Sequence, residues 1–111
     1  MGQGTGDASV RPQSSPEAGR IILRLRQSLP RYQSRYGVKS LGMFGSYVRG
    51  DQTPGSDLDL LVEFAQPPSL LEFLSFEHEL SDALGVKVDL VMRDALKPVI
   101  GQQILREVVP V

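Results

Sequence analysis

Apolar positions along this chain keep two different rhythms, and the switches between them mark out its elements. Ile22, Leu25 and Leu29 fall on one stripe, with Ile21 beside it. Spacings of three and four residues belong to a helix with one buried face. Ser15-Pro16-Glu17 reads as its start, with Ser15 as N-cap and Pro16 in the first turn. Pro30 is expected to break or restart this helix, because it has no N–H to donate and its ring crowds the preceding turn. Gly37 is expected to end it. Residues 38–44 read as a first strand, and residues 45–50 as a tight turn opening a short helical piece. Gln52-Thr53-Pro54-Gly55-Ser56 is a loop by its turn chemistry. Residues 58–64 alternate as a second strand, with Leu58, Leu60, Val62 and Phe64 on one face.

Pro67-Pro68-Ser69 stops that strand and caps a helix over about residues 70–84, which Gly85 ends. Residues 86–92 form a third strand. A last helix is expected over 96–107, with Pro98 in its first turn and Gly101 as a weak point. Residues 108–111 suit a short edge strand. This order predicts an α+β fold, a small mixed β-sheet with helices packed against it.

A chain of 111 residues is expected to be one domain. Residues 1–14 read as a disordered N-terminal arm, and residues 15–111 as the folded domain. Hydrophobic residues make up 41% and charged residues 23%, so a core can form. The formal net charge of -1 gives no sign of a basic surface for gripping nucleic acid. With no cysteine, disulfides, zinc-thiolate sites and thiol chemistry are excluded. No apolar run approaches the roughly 20 residues of a membrane helix. Residues 1–9 are Gly-rich and polar, unlike a signal peptide. The expected location is cytoplasmic.

The candidate chemistry starts in the second strand. Asp57 and Asp59 share the face opposite Leu58 and Leu60. Two adjacent carboxylates repel unless a cation sits between them. Hard oxygen ligands of this kind suit Mg²⁺, which keeps several waters and often bridges to substrate phosphates. Asp89 lies in the third strand among apolar neighbours, where an ionised carboxylate is costly unless paired or metal-bound. If the strands are neighbours, three carboxylates meet on one face, as a two-metal phosphoryl-transfer site requires. A third element is Phe44-Gly45-Ser46-Tyr47-Val48-Arg49-Gly50. Gly45 lets a phosphate approach the backbone closely, Ser46 offers a hydroxyl, and Arg49 lies one helical turn on, placed to clamp phosphate oxygens.

The chain thus reads Gly45-Ser46, ten residues, Asp57-Leu58-Asp59, then Asp89 on a later strand. This pattern resembles the DNA polymerase beta-like nucleotidyltransferase superfamily. Within it, the likeness is greatest to the minimal nucleotidyltransferases, the MNT half of HEPN–MNT toxin–antitoxin pairs. The segments 44–50 and Ser56-Asp57-Leu58-Asp59-Leu60-Leu61-Val62 carry the resemblance, which spans roughly residues 17–111. It implies a polymerase beta-like nucleotidyltransferase fold. It also implies that Asp57 and Asp59 bind two Mg²⁺ ions and that Asp89 completes the site and helps to deprotonate the acceptor. Gly45 and Ser46 would hold the triphosphate of ATP, with Arg49 as helper. The implied partner is a HEPN ribonuclease toxin, adenylylated on a tyrosine.

Singly, each feature has a plainer explanation: a solvated strand face, a turn, or a pair of Asp89 with Lys87 or a nearby Arg. Their conjunction favours chemistry. Gly45 and Gly50 share the spacing of a P-loop, but Asp51-Gln52 stand where Lys and Ser/Thr are required. Leu58 and Leu60 rule out an EF-hand loop. His78, the one histidine, reads as a surface or structural residue. Tyr32, Tyr36 and Tyr47 read as packing. Two other functions fit the same residues: an antitoxin acting by binding alone, and a nucleotidyltransferase for a small-molecule or RNA acceptor.

Overall fold

The computed structural model describes residues 16–111. The expected arm over 1–14 and the Ser15 cap lie outside the described residues. Helix α1 (Pro16–Tyr36) leads into β1 (Val38–Phe44), the four-residue helix α2 (Ser46–Arg49) and β2 (Leu58–Phe64). Helix α3 (Leu70–Leu84) and β3 (Val88–Met92) follow. A single 3₁₀ turn over Arg93–Ala95, helix α4 (Pro98–Glu107) and β4 (Val109–Pro110) complete the chain. The four strands form one sheet in the order β3-β2-β1-β4. β1 is antiparallel to β2 and β4, while β2 and β3 are parallel. The sheet is therefore mixed, as expected.

One face of the sheet carries the core. Leu41 and Met43 of β1, Leu58, Leu60 and Val62 of β2, and Val88 and Leu90 of β3 are all buried. They pack with Ala18, Ile21, Leu25 and Tyr32 of α1 and with Phe76 and Leu80 of α3. Alternation along β2 explains this: Leu58, Leu60 and Val62 face the helices, while Asp59 lies on the other face, where Leu61 is also buried. Tyr32 meets Phe76 edge to face and Tyr36 meets it at a tilt, with ring centroids 5.1 and 4.7 Å away. Tyr36 also donates its hydroxyl to Glu79 over 2.6 Å, tying α1 to α3.

The capping chemistry of α3 is complete. Ser69 accepts from the Glu72 N–H, and Glu72 reaches back to the Ser69 N–H, a reciprocal capping box. Its C-terminus closes on Gly85 in the left-handed region. Two side chains of α3 also cover the outer edge of β3. The Leu90 N–H donates to Glu77 Oε2 (2.8 Å) and the Val88 N–H to Ser81 Oγ (3.0 Å). Edge donors that would otherwise face water are satisfied this way.

Three expectations need correction. Helix α1 runs through Pro30 without interruption. Pro30 and Arg26 are both exposed, so the carbonyl that loses its partner at Pro30 can be hydrated. The buried stripe centres on Ile21, Leu25 and Tyr32, and Ile22 is only half-buried. The last helix begins at Pro98, because residues 93–95 form the 3₁₀ turn. Gly101 has a packing role as well. A Cβ there would lie 3.0 Å from Leu96 Cβ, so the glycine allows this turn to pack on α4.

Phe76 is fully buried and meets three aromatic rings. Phe76→Ala is expected to cost about 3–5 kcal/mol, from lost transfer energy plus a cavity. Urea denaturation would measure it, and a loss under about 1 kcal/mol would mean that this aromatic cluster does not organise the core.

Candidate active site

The end of β1 and the starts of β2 and β3 lie side by side, and the candidate residues gather there. In the strand register Asp59 sits opposite Phe44 on one side and opposite Asp89 on the other. Gly45 follows directly, with φ +83°, in the left-handed region that favours glycine. Any Cβ on Gly45 would collide with the Asp59 carboxylate. The backbone of the turn and this carboxylate are thus in direct apposition. Ser46 is next, half-buried at the start of α2.

Asp57 precedes β2 by one residue. It is partly exposed and pairs with Lys87 at 4.0 Å, a solvent-facing contact that contributes little. The alternative pairing of Lys87 with Asp89, weighed from the sequence, is not the one that forms. Asp89 itself is exposed, because β3 is an edge strand. The expectation that burial penalises Asp89 is therefore corrected: the penalty falls on Asp59. Burial first, then the charges of Asp89 and Asp57, push the Asp59 carboxyl up to about 6; Arg49 pulls it down and Glu107 pushes it up. Three neighbouring carboxylates act on one half-buried group.

Such a donor set fits a hard divalent cation. All its atoms are carboxylate oxygens, and the acids outnumber the cations beside them, which are Lys87 at Asp57 and Arg49 near Asp59. Among the described residues no three acids close into a ready-made cage. An open set suits Mg²⁺, which binds through one or two carboxylates and draws its other ligands from water and phosphate.

Arg49 does not point freely into the site. Its guanidinium donates to Glu107 Oε1 over 2.9 Å and to Asp51 Oδ2 over 3.4 Å. The other oxygen of Glu107 accepts the Gly45 N–H, also at 2.9 Å. Sequence reasoning missed Glu107. Nothing local marks it, since it closes an ordinary amphipathic helix and meets Gly45 across 62 positions of chain. His78 is exposed and, among the described residues, pairs with Asp82 at 3.4 Å, in line with its expected surface role. Tyr32 and Tyr47 are buried in the core.

Residues 24–111 match the family model described as a nucleotidyltransferase domain. The protein adenylyltransferase MntA of Thermococcus cleftensis is 51% identical over 77 residues, covering 69% of this chain and 78% of that protein. A solved structure assigned as a minimal nucleotidyltransferase superposes with a TM-score of 0.71 at 35% identity, covering 83% of this chain and 94% of the other. A chain from the solved complex of an MNT antitoxin with tri-AMPylated Shewanella oneidensis HEPN toxin superposes with a TM-score of 0.56 at 26% identity, covering 85% of this chain and 67% of the other.

The state of Asp59 has a consequence for stability. Its folded-state pKa of about 6 lies above the usual 3.8, so the folded form holds the proton more tightly. Stability therefore falls as pH rises between those two values, and the ionised group remains a net cost above them. Asp59→Asn is expected to stabilise the metal-free protein by about 1 kcal/mol near pH 7.5, after allowance for solvent screening. The gain should vanish near pH 3.5. Thermal melts in a chelator at both pH values test this, and a destabilised variant at the higher pH would contradict it.

Proposed function

The chain belongs to the nucleotidyltransferase domain family, among its minimal nucleotidyltransferases, and from that premise we propose that it is an antitoxin that transfers AMP from ATP to a tyrosine of a HEPN ribonuclease toxin. The observation that carries the reading is the close approach of Gly45 to Asp59, with Asp89 in register beside it. A phosphate-bearing substrate can reach acids this close to the main chain only where no side chain stands in the way. Support for the acceptor comes from the relatives: one is named a protein adenylyltransferase, and another is an antitoxin bound to an AMPylated HEPN toxin.

In this reading Asp57 and Asp59 hold two Mg²⁺ ions, with Asp89 completing the set. The chemistry supplied by bound Mg²⁺ is neutralisation of the triphosphate and activation of the acceptor oxygen. Gly45 gives the triphosphate room, Ser46 donates its hydroxyl, and Arg49 adds positive charge. The acceptor oxygen forms a bond to the α-phosphorus as the bond from that phosphorus to the β-phosphate bridging oxygen breaks. Pyrophosphate leaves, and the hydroxyl proton passes to Asp89, the most exposed of the three acids. Leu70, Leu71 and Leu74 are exposed on the first turns of α3, and such an apolar patch supports a protein partner.

The test uses α-labelled ATP, Mg²⁺ and the cognate toxin. Label is expected on a toxin tyrosine, and Asp57→Asn or Asp59→Asn should lower its rate by about a thousandfold or more, with far-UV circular dichroism unchanged. Wild-type rates in either variant would refute the site. A wild-type protein that binds and silences the toxin without labelling it would refute the transfer reaction in favour of neutralisation by binding alone.

A further inference from the structure

Glu107 sits where a phosphate would be expected to sit. Its two oxygens take one donor each: Oε2 accepts the Gly45 N–H, and Oε1 accepts from the Arg49 guanidinium, both at 2.9 Å. A backbone N–H and a guanidinium fork are the donors that hold a phosphate oxygen pair. We propose that Glu107 is a displaceable latch, which fills the triphosphate seat in the nucleotide-free protein and gives up both donors when ATP binds. The inference rests on the reading that this turn receives a nucleotide.

Charge argues for displacement over sharing. Asp57, Asp59 and Asp89 already crowd the start of β2 and β3, and Glu107 adds a fourth carboxylate next to them. A triphosphate entering the same space brings several more negative charges. Two anions cannot use one N–H and one guanidinium at once without strong repulsion.

The backbone around Glu107 shows which part can move. The Val108 N–H closes the helix on Ile104, and Val109 and Pro110 pair with Met43 and Gly42 of β1. A Cβ on Gly42 would come within 2.5 Å of Val108 Cγ2, so the end of α4 is pressed onto the sheet. These contacts anchor the end of the helix, and the side chain is the part with room to swing. Glu107 is about one quarter exposed and Arg49 about one half, so the released carboxylate has water to enter. Arg49 stays oriented by Asp51 during the exchange.

Isothermal titration with ATP and Mg²⁺ tests the latch. Glu107→Gln keeps the shape and removes the charge, and it is expected to lower the Kd by about tenfold relative to wild type. Metal-free tripolyphosphate should show the same direction of change. A Kd that is unchanged or raised in the variant, with wild type binding normally, would overturn the latch and leave the nucleotide site standing. Absence of ATP binding in wild type and variant alike would overturn both. Wild-type protein offers a check that does not depend on a variant: the Glu107 side-chain carboxyl ¹³C resonance should move to the position of a free glutamate as ATP is added. A resonance that stays put while the Gly45 amide shifts would also overturn the latch.

Discussion

Everything at the candidate site depends on one steric constraint: the Asp59 carboxylate occupies the space in which a side chain at residue 45 would stand. Because Gly45 has no Cβ, the turn after β1 can lie directly against the start of β2. That contact sets how near the main chain of the turn comes to the acids. It also fixes the left-handed φ of Gly45, which any other residue would adopt only at a cost. The β1–β2 register, with Phe44 opposite Asp59, delivers the glycine to that place. The parallel β2–β3 register then delivers Asp89 to the far side of the same acid.

Bringing acids together in this way works against folding. Asp59 is held above its usual pKa by burial and by its acidic neighbours, and the nearest relief is Arg49, whose donors are shared with Glu107 and Asp51. The cost is borne elsewhere in the molecule. The opposite face of the sheet is spent on a continuous core of two helices, three aromatic rings around Phe76 and a full capping box on α3. A protein that keeps an unneutralised charge cluster must have such reserves, since net stabilities are only about 5–15 kcal/mol.

How much of this was legible in the sequence follows from which forces are local. β1, β2 and α3 start and stop where turn residues, alternation and caps indicate, since Gly37, Ser69 and Gly85 act within a few positions of themselves. The Gly45-Ser46 and Asp57-Leu58-Asp59 motifs were visible for the same reason. Pro30 was misjudged because its effect depends on which side of the helix faces water, a tertiary fact. Asp89 was read as buried from its apolar neighbours, yet those neighbours pack on one face of an edge strand whose other face is open. Glu107 had no local signal at all, since its two partners are brought to it by β4 pairing with β1.

The unequal exposure of the acids has its own logic. Asp59 lies on an inner strand, between β1 and β3, with the glycine turn over it. Asp89 lies on the edge strand and faces solvent. A carboxylate screened from water holds its charge at higher cost, and so gains more from a nearby cation than an exposed one does. An exposed carboxylate gains less from a cation, but an incoming hydroxyl can reach it from outside. The sheet order alone therefore separates a screened carboxylate from an exposed one.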